Sequence, residues 1–169
     1  IEARRERIKN PKYKPDSQNW TLNREYAEYT SASITTKDLY SRMFGRFEMR
    51  GRIDTRPGMW PAFWTLGTKG SWPACGEIDI MEYYSGTLLA NAVWASEGPW
   101  TPIRNDSKKP ITDFNDPNWS DKFHIWRMDW DADSIKLYVD DQLLNTIDLN
   151  EILNDEQVEN PFHQPHYMI

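Results

Sequence analysis

Residues 44–53 alternate strictly. Phe47, Met49, Gly51 and Ile53 fall on one face, and Arg46, Glu48, Arg50 and Arg52 on the other. A period of two marks a half-buried β-strand, because successive side chains leave a strand on opposite faces. Shorter stretches repeat the theme. Residues 1–8 and 26–36 have strand-type composition, and 59–66 place Trp60, Ala62, Trp64 and Leu66 on one face. Pro61 assigns that strand to an edge or a bulge, since proline donates nothing to a ladder. Further strands are read at 76–84, 87–95, 122–130, 134–139 and 143–148. Turn residues punctuate them at Arg56-Pro57-Gly58, Asp131-Ala132-Asp133 and Asp140-Asp141. Residues 9–24 and 67–75 read as loops, and 96–120, with four prolines among polar residues, as one long surface loop. Only 150–157, capped by Asn150, reads as a helix. Many short strands and almost no helix predict an all-β sandwich or barrel, and 169 residues suit a single domain spanning 1–169.

Charge and composition narrow the function. Twenty Lys and Arg against 26 Asp and Glu give a net charge of −6. With no cationic cluster to neutralise phosphates, no nucleic-acid partner is expected. No apolar run reaches the roughly 18 residues of a membrane helix, so no membrane span is expected. Cys75 is the single cysteine, which excludes an intrachain disulfide framework. Aromatic residues are in excess, with 9 Trp, 8 Tyr and 6 Phe making 14% of the chain. At least half of these belong to the core. The surplus suits a ligand with flat apolar faces and many hydroxyls, a sugar, because Trp and Tyr join an apolar ring to a polar edge. For Trp126 and Trp130 the core and surface readings remain equal.

The most informative segment is Gly76-Glu77-Ile78-Asp79-Ile80-Met81-Glu82-Tyr83-Tyr84. On a regular strand Glu77 and Asp79 face one side, while Ile78 and Ile80 face the core. Glu82 then points inward, unless a β-bulge near Met81 returns it to the acidic face. Three close carboxylates repel, which raises at least one pKa. Retaining glycoside hydrolysis uses two carboxyl groups about 5–5.5 Å apart, one attacking and one protonating the leaving group. The backbone separation of Glu77 and Glu82 is longer, about 13 Å at 3.3 Å per residue, so the side chains must lean inward. A solvent-facing acidic edge and a calcium site account for the same spacing. Trp60 and Trp64 on the preceding strand, Trp72 in the loop between, Trp94 on the following strand and Trp100 beyond it surround the acidic strand. Rings flanking carboxylates suit a polysaccharide cleft.

Gly58-Met59-Trp60-Pro61-Ala62-Phe63-Trp64 followed by Gly76-Glu77-Ile78-Asp79-Ile80-Met81-Glu82 resembles glycoside hydrolase family 16, in its bulged branch of laminarinases and mixed-linkage β-glucanases. The likeness extends from Tyr29-Thr30-Ser31-Ala32 through Tyr40 and Phe44-Gly45-Arg46-Phe47-Glu48 to Phe123-His124-Ile125-Trp126-Arg127-Met128-Asp129-Trp130 and Pro161-Phe162-His163-Gln164-Pro165-His166-Tyr167. It implies a concave β-jelly roll with a substrate groove. It also implies Glu77 as nucleophile, Asp79 as electrostatic support and Glu82 as acid/base, with Trp60, Trp64, Trp94 and Trp72 binding substrate. The implied activity is endo-acting, retaining hydrolysis of β-1,3- or mixed-linkage β-1,3-1,4-glucan. The alternatives are a non-catalytic glucan-binding module and a hydrolase of the same family acting on a marine galactan. Catalysis needs no cofactor, and the structural calcium that the resemblance implies cannot be placed on this sequence. The family implies a secreted, cell-surface or periplasmic location. Two departures stand out. Val93 precedes Trp94 where the family more often has His, and the family's first and closing strands are absent. A chain short of those strands is expected to need a complementing chain or a strand-exchanged oligomer.

Overall fold

A computed structural model describes residues 1–95, 101–152 and 160–169. The single domain read from the sequence forms two compact units, Ile1–Ile34 and Thr35–Ile169. In the first, strands β1 (Arg4–Lys9) and β2 (Tyr26–Thr30) pair antiparallel. The loop joining them is closed by Asn10, whose side-chain amide donates to the carbonyls of Thr21 and Arg24 at 2.8 and 2.9 Å. The Arg7 guanidinium covers the Tyr26 ring at 3.8 Å from its centroid.

The second unit holds β3 (Gly45–Gly51), β4 (Ala62–Gly67), β5 (Glu77–Tyr84), β6 (Thr87–Ala95), β7 (Pro102–Pro110), β8 (His124–Trp130), β9 (Ser134–Val139), β10 (Gln142–Asp148) and β11 (His166–Met168). They form a four-stranded sheet, β10-β9-β8-β3, and a five-stranded sheet, β11-β4-β5-β6-β7. One apolar cluster lies between them, as a two-layer sandwich requires. Ile78, Ile80 and Leu88 come from the larger sheet, and Trp126, Met128, Ile135 and Leu137 from the smaller. Each such side chain contributes about 1.5–3 kcal/mol by leaving water.

The alternation in β3 is realised, with Phe47 and Ile53 buried and Arg46, Glu48 and Arg50 exposed. Trp126 and Trp130 are core residues, at 0% and 3% exposure. The Trp126 indole donates to the Gly51 carbonyl at 3.1 Å, so its polar edge is satisfied where it is buried.

Four expectations change. Residues 101–120 are not one surface loop, because β7 and two 3₁₀ turns, Ile111–Phe114 and Trp119–Asp121, lie within them. β7 is polar and bounded by prolines, so it shows no apolar alternation, and its strand geometry comes from pairing along the whole of β6. Strand 26–36 shortens to Tyr26–Thr30. Strand 59–66 begins at Ala62, just after Pro61, and is interior rather than an edge, with β11 on one side and β5 on the other; the bulge that Pro61 equally allowed is present, as a register shift between Phe63 and Trp64 against β5. Asn150 sits in a turn, where its backbone and side-chain N–H groups bind Asp148 Oδ1. The rest of the helix expected at 150–157 falls mostly outside the described residues, as do Trp100 and residues 96–99.

Candidate active site

The groove depends on one irregularity in β5. Against β6 the ladder runs Glu77↔Val93, Ile78↔Ala92, Asp79↔Asn91, and then Glu82↔Leu89. Ile80 and Met81 therefore oppose the single residue Ala90, which is the two-against-one pairing of a bulge. Both bulged residues enter the core, at 0% and 2% exposure. The extra residue returns Glu82 to the face of Glu77 and Asp79, as the sequence led us to expect.

Trp60, Ala62, Trp64, Glu77, Asp79 and Glu82 line one groove of about 310 Å³. Trp64 pairs with Asp79 and the small Ala62 with Glu82 across the β4–β5 ladder. Two indoles present polar edges to the outer carboxylates. Trp60 Nε1 donates to Glu82 Oε1 at 2.6 Å, and Trp72 Nε1 donates to Glu77 Oε2 at 3.0 Å. The Trp60 ring stays 63% exposed and meets Tyr84 with 4.9 Å between centroids. Each indole thus holds a carboxylate by its edge and leaves ring surface for a ligand.

The carboxylates differ in environment. Asp79 is 6% exposed, and its contact with the Asn91 amide is long, 3.4 Å. Burial first, and then repulsion from Glu77 and Glu82, pushes its pKa up to about 7. Burial also raises Glu77, opposed by the Trp72 N–H and the charge of Arg104. The repulsion expected from three crowded acids therefore adds to burial at Asp79, the middle one.

Trp94 is a correction. Glu77 pairs with Val93 and Ile78 with Ala92, so Trp94 shares the core face with Ala92, not the carboxylate face. It packs against the core, its ring 6.0 Å from that of Phe162. Strand alternation decides this, since Val93, opposite Glu77, is the residue that falls on the carboxylate face. Trp60, Trp64 and Trp72 do lie at the carboxylates.

Three residues at the site escaped the sequence reading. Asn91 faces Asp79, and the alternation of strand 87–95 could have revealed it. Tyr84 stands two residues after Glu82 on the same face. Arg104 pairs with Val93 in the row of Glu77, on a strand that left no pattern to read. Among the described residues no three of His, Cys, Asp or Glu are grouped to hold a metal ion.

The family model for glycosyl hydrolases family 16 matches residues 4–168. A beta-glucanase of Rhodothermus marinus is 36% identical over 160 residues, covering 86% of this chain and 52% of that protein. A beta-1,3-glucan-binding protein of Penaeus monodon is 36% identical over 136 residues, covering 70% of this chain and 35% of its own. A solved structure from work on endo-acting O-glycanases, with which prominent members of the human gut microbiota initiate mucin breakdown, has a TM-score of 0.86 and 37% identity. The alignment covers 98% of this chain and 60% of that one. The chain spans between 22% and 54% of the length of the first curated relatives it matches.

Proposed function

We propose, from the premise that the chain belongs to glycosyl hydrolase family 16, that it carries the catalytic groove of a secreted or cell-surface endo-acting, retaining glycosidase. Its substrate is a β-linked polysaccharide, foremost β-1,3- or mixed-linkage glucan. The observation that carries this reading is the bulge, which puts three carboxylates of unequal environment on one face of an aromatic-lined groove.

Glu77 attacks the anomeric carbon while Glu82 gives its proton to the departing glycosidic oxygen, and a glycosyl ester forms on Glu77. Glu82 then takes a proton from water, the water attacks the same carbon, and Glu77 leaves as the carboxylate. The Trp72 N–H and the Arg104 charge favour the ionised form of Glu77 against its burial. Glu82 binds the Trp60 N–H through Oε1, which leaves Oε2 for the substrate. Asp79, whose pKa is about 7, carries a proton through much of the acid range and spares the groove a third negative charge. No metal or organic cofactor enters these steps.

Product analysis by NMR tests the stereochemistry. The first anomer released from laminarin or mixed-linkage glucan should be β, and initial α-product would sink the retaining mechanism. A non-catalytic binding role has a specific support in the Penaeus relative. Stacking alone, however, needs no set of three acids. The O-glycanase likeness supports a second substrate, the β-linked O-glycans of mucin. Digesting laminarin, mixed-linkage glucan, agar-type galactan and gastric mucin side by side, with product sizing, decides among the substrates. Absence of products from all four would favour the binding role.

A further inference from the structure

Asn91 stands beside the acids on the next strand, and the mechanism does not use it. Against β5 it pairs with Asp79, and against β7 with Asp106. Trp64 on β4 pairs with Asp79 from the other side. Paired residues of antiparallel strands share a face, so Trp64, Asp79, Asn91 and Asp106 form one row across the sheet, on the carboxylate face. Asn91 is nevertheless closed off from water, at 3% exposure.

Neither end of this amide is well used. Nδ2 lies 3.4 Å from Asp79 Oδ2, beyond the span of about 2.7–3.2 Å of an ordinary N–H···O bond. Oδ1 is buried and, among the described residues, meets no hydrogen-bond donor. A buried amide costs free energy unless its polar ends are engaged. Asp79 is the neighbour that can engage either end. An ionised carboxylate only accepts, so it takes the Nδ2 hydrogens, whereas a protonated carboxyl also donates, so it can take Oδ1. A half-turn about the last side-chain bond exchanges the two ends. Both states of Asp79 lie within reach of neutral pH, since burial, and then Glu77 and Glu82, raise its pKa to about 7. The Asn91 amide and the Arg104 charge on β7 act the other way. Trp64, on β4, brings no charge to the row. During the first chemical step the negative charge leaves Glu77 as the ester forms and arises on Glu82 as it gives up its proton. Asp79 stands between the two.

We propose that Asn91 is a positioning residue of the reaction, holding the Asp79 carboxyl through Nδ2 when it is ionised and through Oδ1 when it is protonated. The proposal rests on the hydrolase reading above. Asn91 acts through Asp79 and not on the substrate. As charge passes from Glu77 to Glu82, the acid between them keeps one partner in either state. A leucine of similar volume would fill the space, but it would leave Asp79 free to turn toward one glutamate or the other.

NMR of the side-chain amide tests the pairing in the full-length, nitrogen-15-labelled protein. The Asn91 Nδ2 resonance should titrate with a midpoint near the Asp79 value of about 7, and the titration should vanish in Asp79→Asn. A resonance that stays fixed, or that still moves in Asp79→Asn because Glu77, Glu82 or Asp106 drives it, would overturn the proposal. Kinetics on the polysaccharide that the wild type cleaves tests the consequence. Asn91→Leu should lower kcat by roughly tenfold or more, as expected for a lost hydrogen bond to an ionisable group, with KM within about twofold of wild type. In the Asp79→Asn background the same substitution should cost less than about twofold further. Equal losses in the two backgrounds, or a rise in KM with kcat unchanged, would overturn the proposal as well. The titration decides even if Asn91→Leu does not fold. Should the wild type cleave no polysaccharide, the hydrolase reading fails, and the titration still judges the pairing of Asn91 with Asp79.

Discussion

The two faces of β5 make different demands on one strand. Its inner face presents Ile78, Ile80 and Met81, all at 2% exposure or less. Its outer face presents Glu77, Asp79 and Glu82 to the groove. A regular strand spaces its faces evenly, and here one bulge sends two consecutive apolar residues inward and the next acid outward. The inner face stabilises the sandwich, whereas the outer face works against it by holding acids that are crowded and, at Asp79, buried. Substitutions on the two faces should therefore separate: inner changes alter stability, outer changes alter chemistry, and the buried acid alters both.

The largest effect should come from Glu77→Gln. Removing the nucleophile should lower kcat by about a thousandfold or more, with laminarin affinity and melting temperature close to wild type. Retention of a tenth of the activity would show that Glu77 is not the attacking group. On the opposite face, Ile78→Ala should cost about 2–5 kcal/mol in chemical denaturation, by lost burial and the cavity left behind. The activity of its folded fraction should stay within about twofold of wild type. A large fall in kcat without destabilisation would break the separation of the two faces.

Asp79 tests the overlap. Its folded pKa of about 7 lies above the ordinary value of 3.8, so the native state holds a proton that the unfolded chain has released. Stability from this group is therefore full below about pH 4 and is lost as pH rises to about 7. Asp79→Asn should remove that slope and make the protein more stable at pH 8, on the order of 2–4 kcal/mol. Its activity should fall as well. Thermal melts across pH 4–8 check this, and parallel curves for the two proteins would show that Asp79 is not held protonated. The smallest effects should come from a tryptophan pair. Trp60→Phe removes the indole N–H from Glu82 and should lower kcat by roughly fivefold, about 1 kcal/mol, with unchanged melting. Trp94→Phe should do the reverse, lowering stability by about 1 kcal/mol and leaving KM unchanged. A KM effect at Trp94 would return it to the groove.

The parts of this fold that were legible are those where local chemistry and tertiary environment agree. Phe47 alternates with charged neighbours because the smaller sheet has one dry face and one wet face. The bulge could be argued in advance because Ile80-Met81 followed by Glu82 is inconsistent with strict alternation. β7 was hidden for the opposite reason. Its residues, Arg104 to Lys109, are polar throughout, and what makes them a strand is the row of β6 backbone groups beside them. Trp94 misled because an aromatic residue near an acidic strand reads alike on either face. A shift of one residue exchanges groove for core, and only the pairing of Ala92 with Ile78 decides it.

From the sequence alone came the all-β class, the acidic strand with its bulge, the candidate carboxylates and the aromatic surplus. Each is a matter of residue type and spacing along one strand, which covalent geometry carries directly. Tertiary structure decided which tryptophans reach the carboxylates, that their indole N–H groups bind Glu77 and Glu82, and that Arg104 joins the row of Glu77. It also decided that burial, more than repulsion, raises the Asp79 pKa to about 7. These properties depend on distances between residues remote in sequence and on the exclusion of water, and both exist only once the sheets have packed.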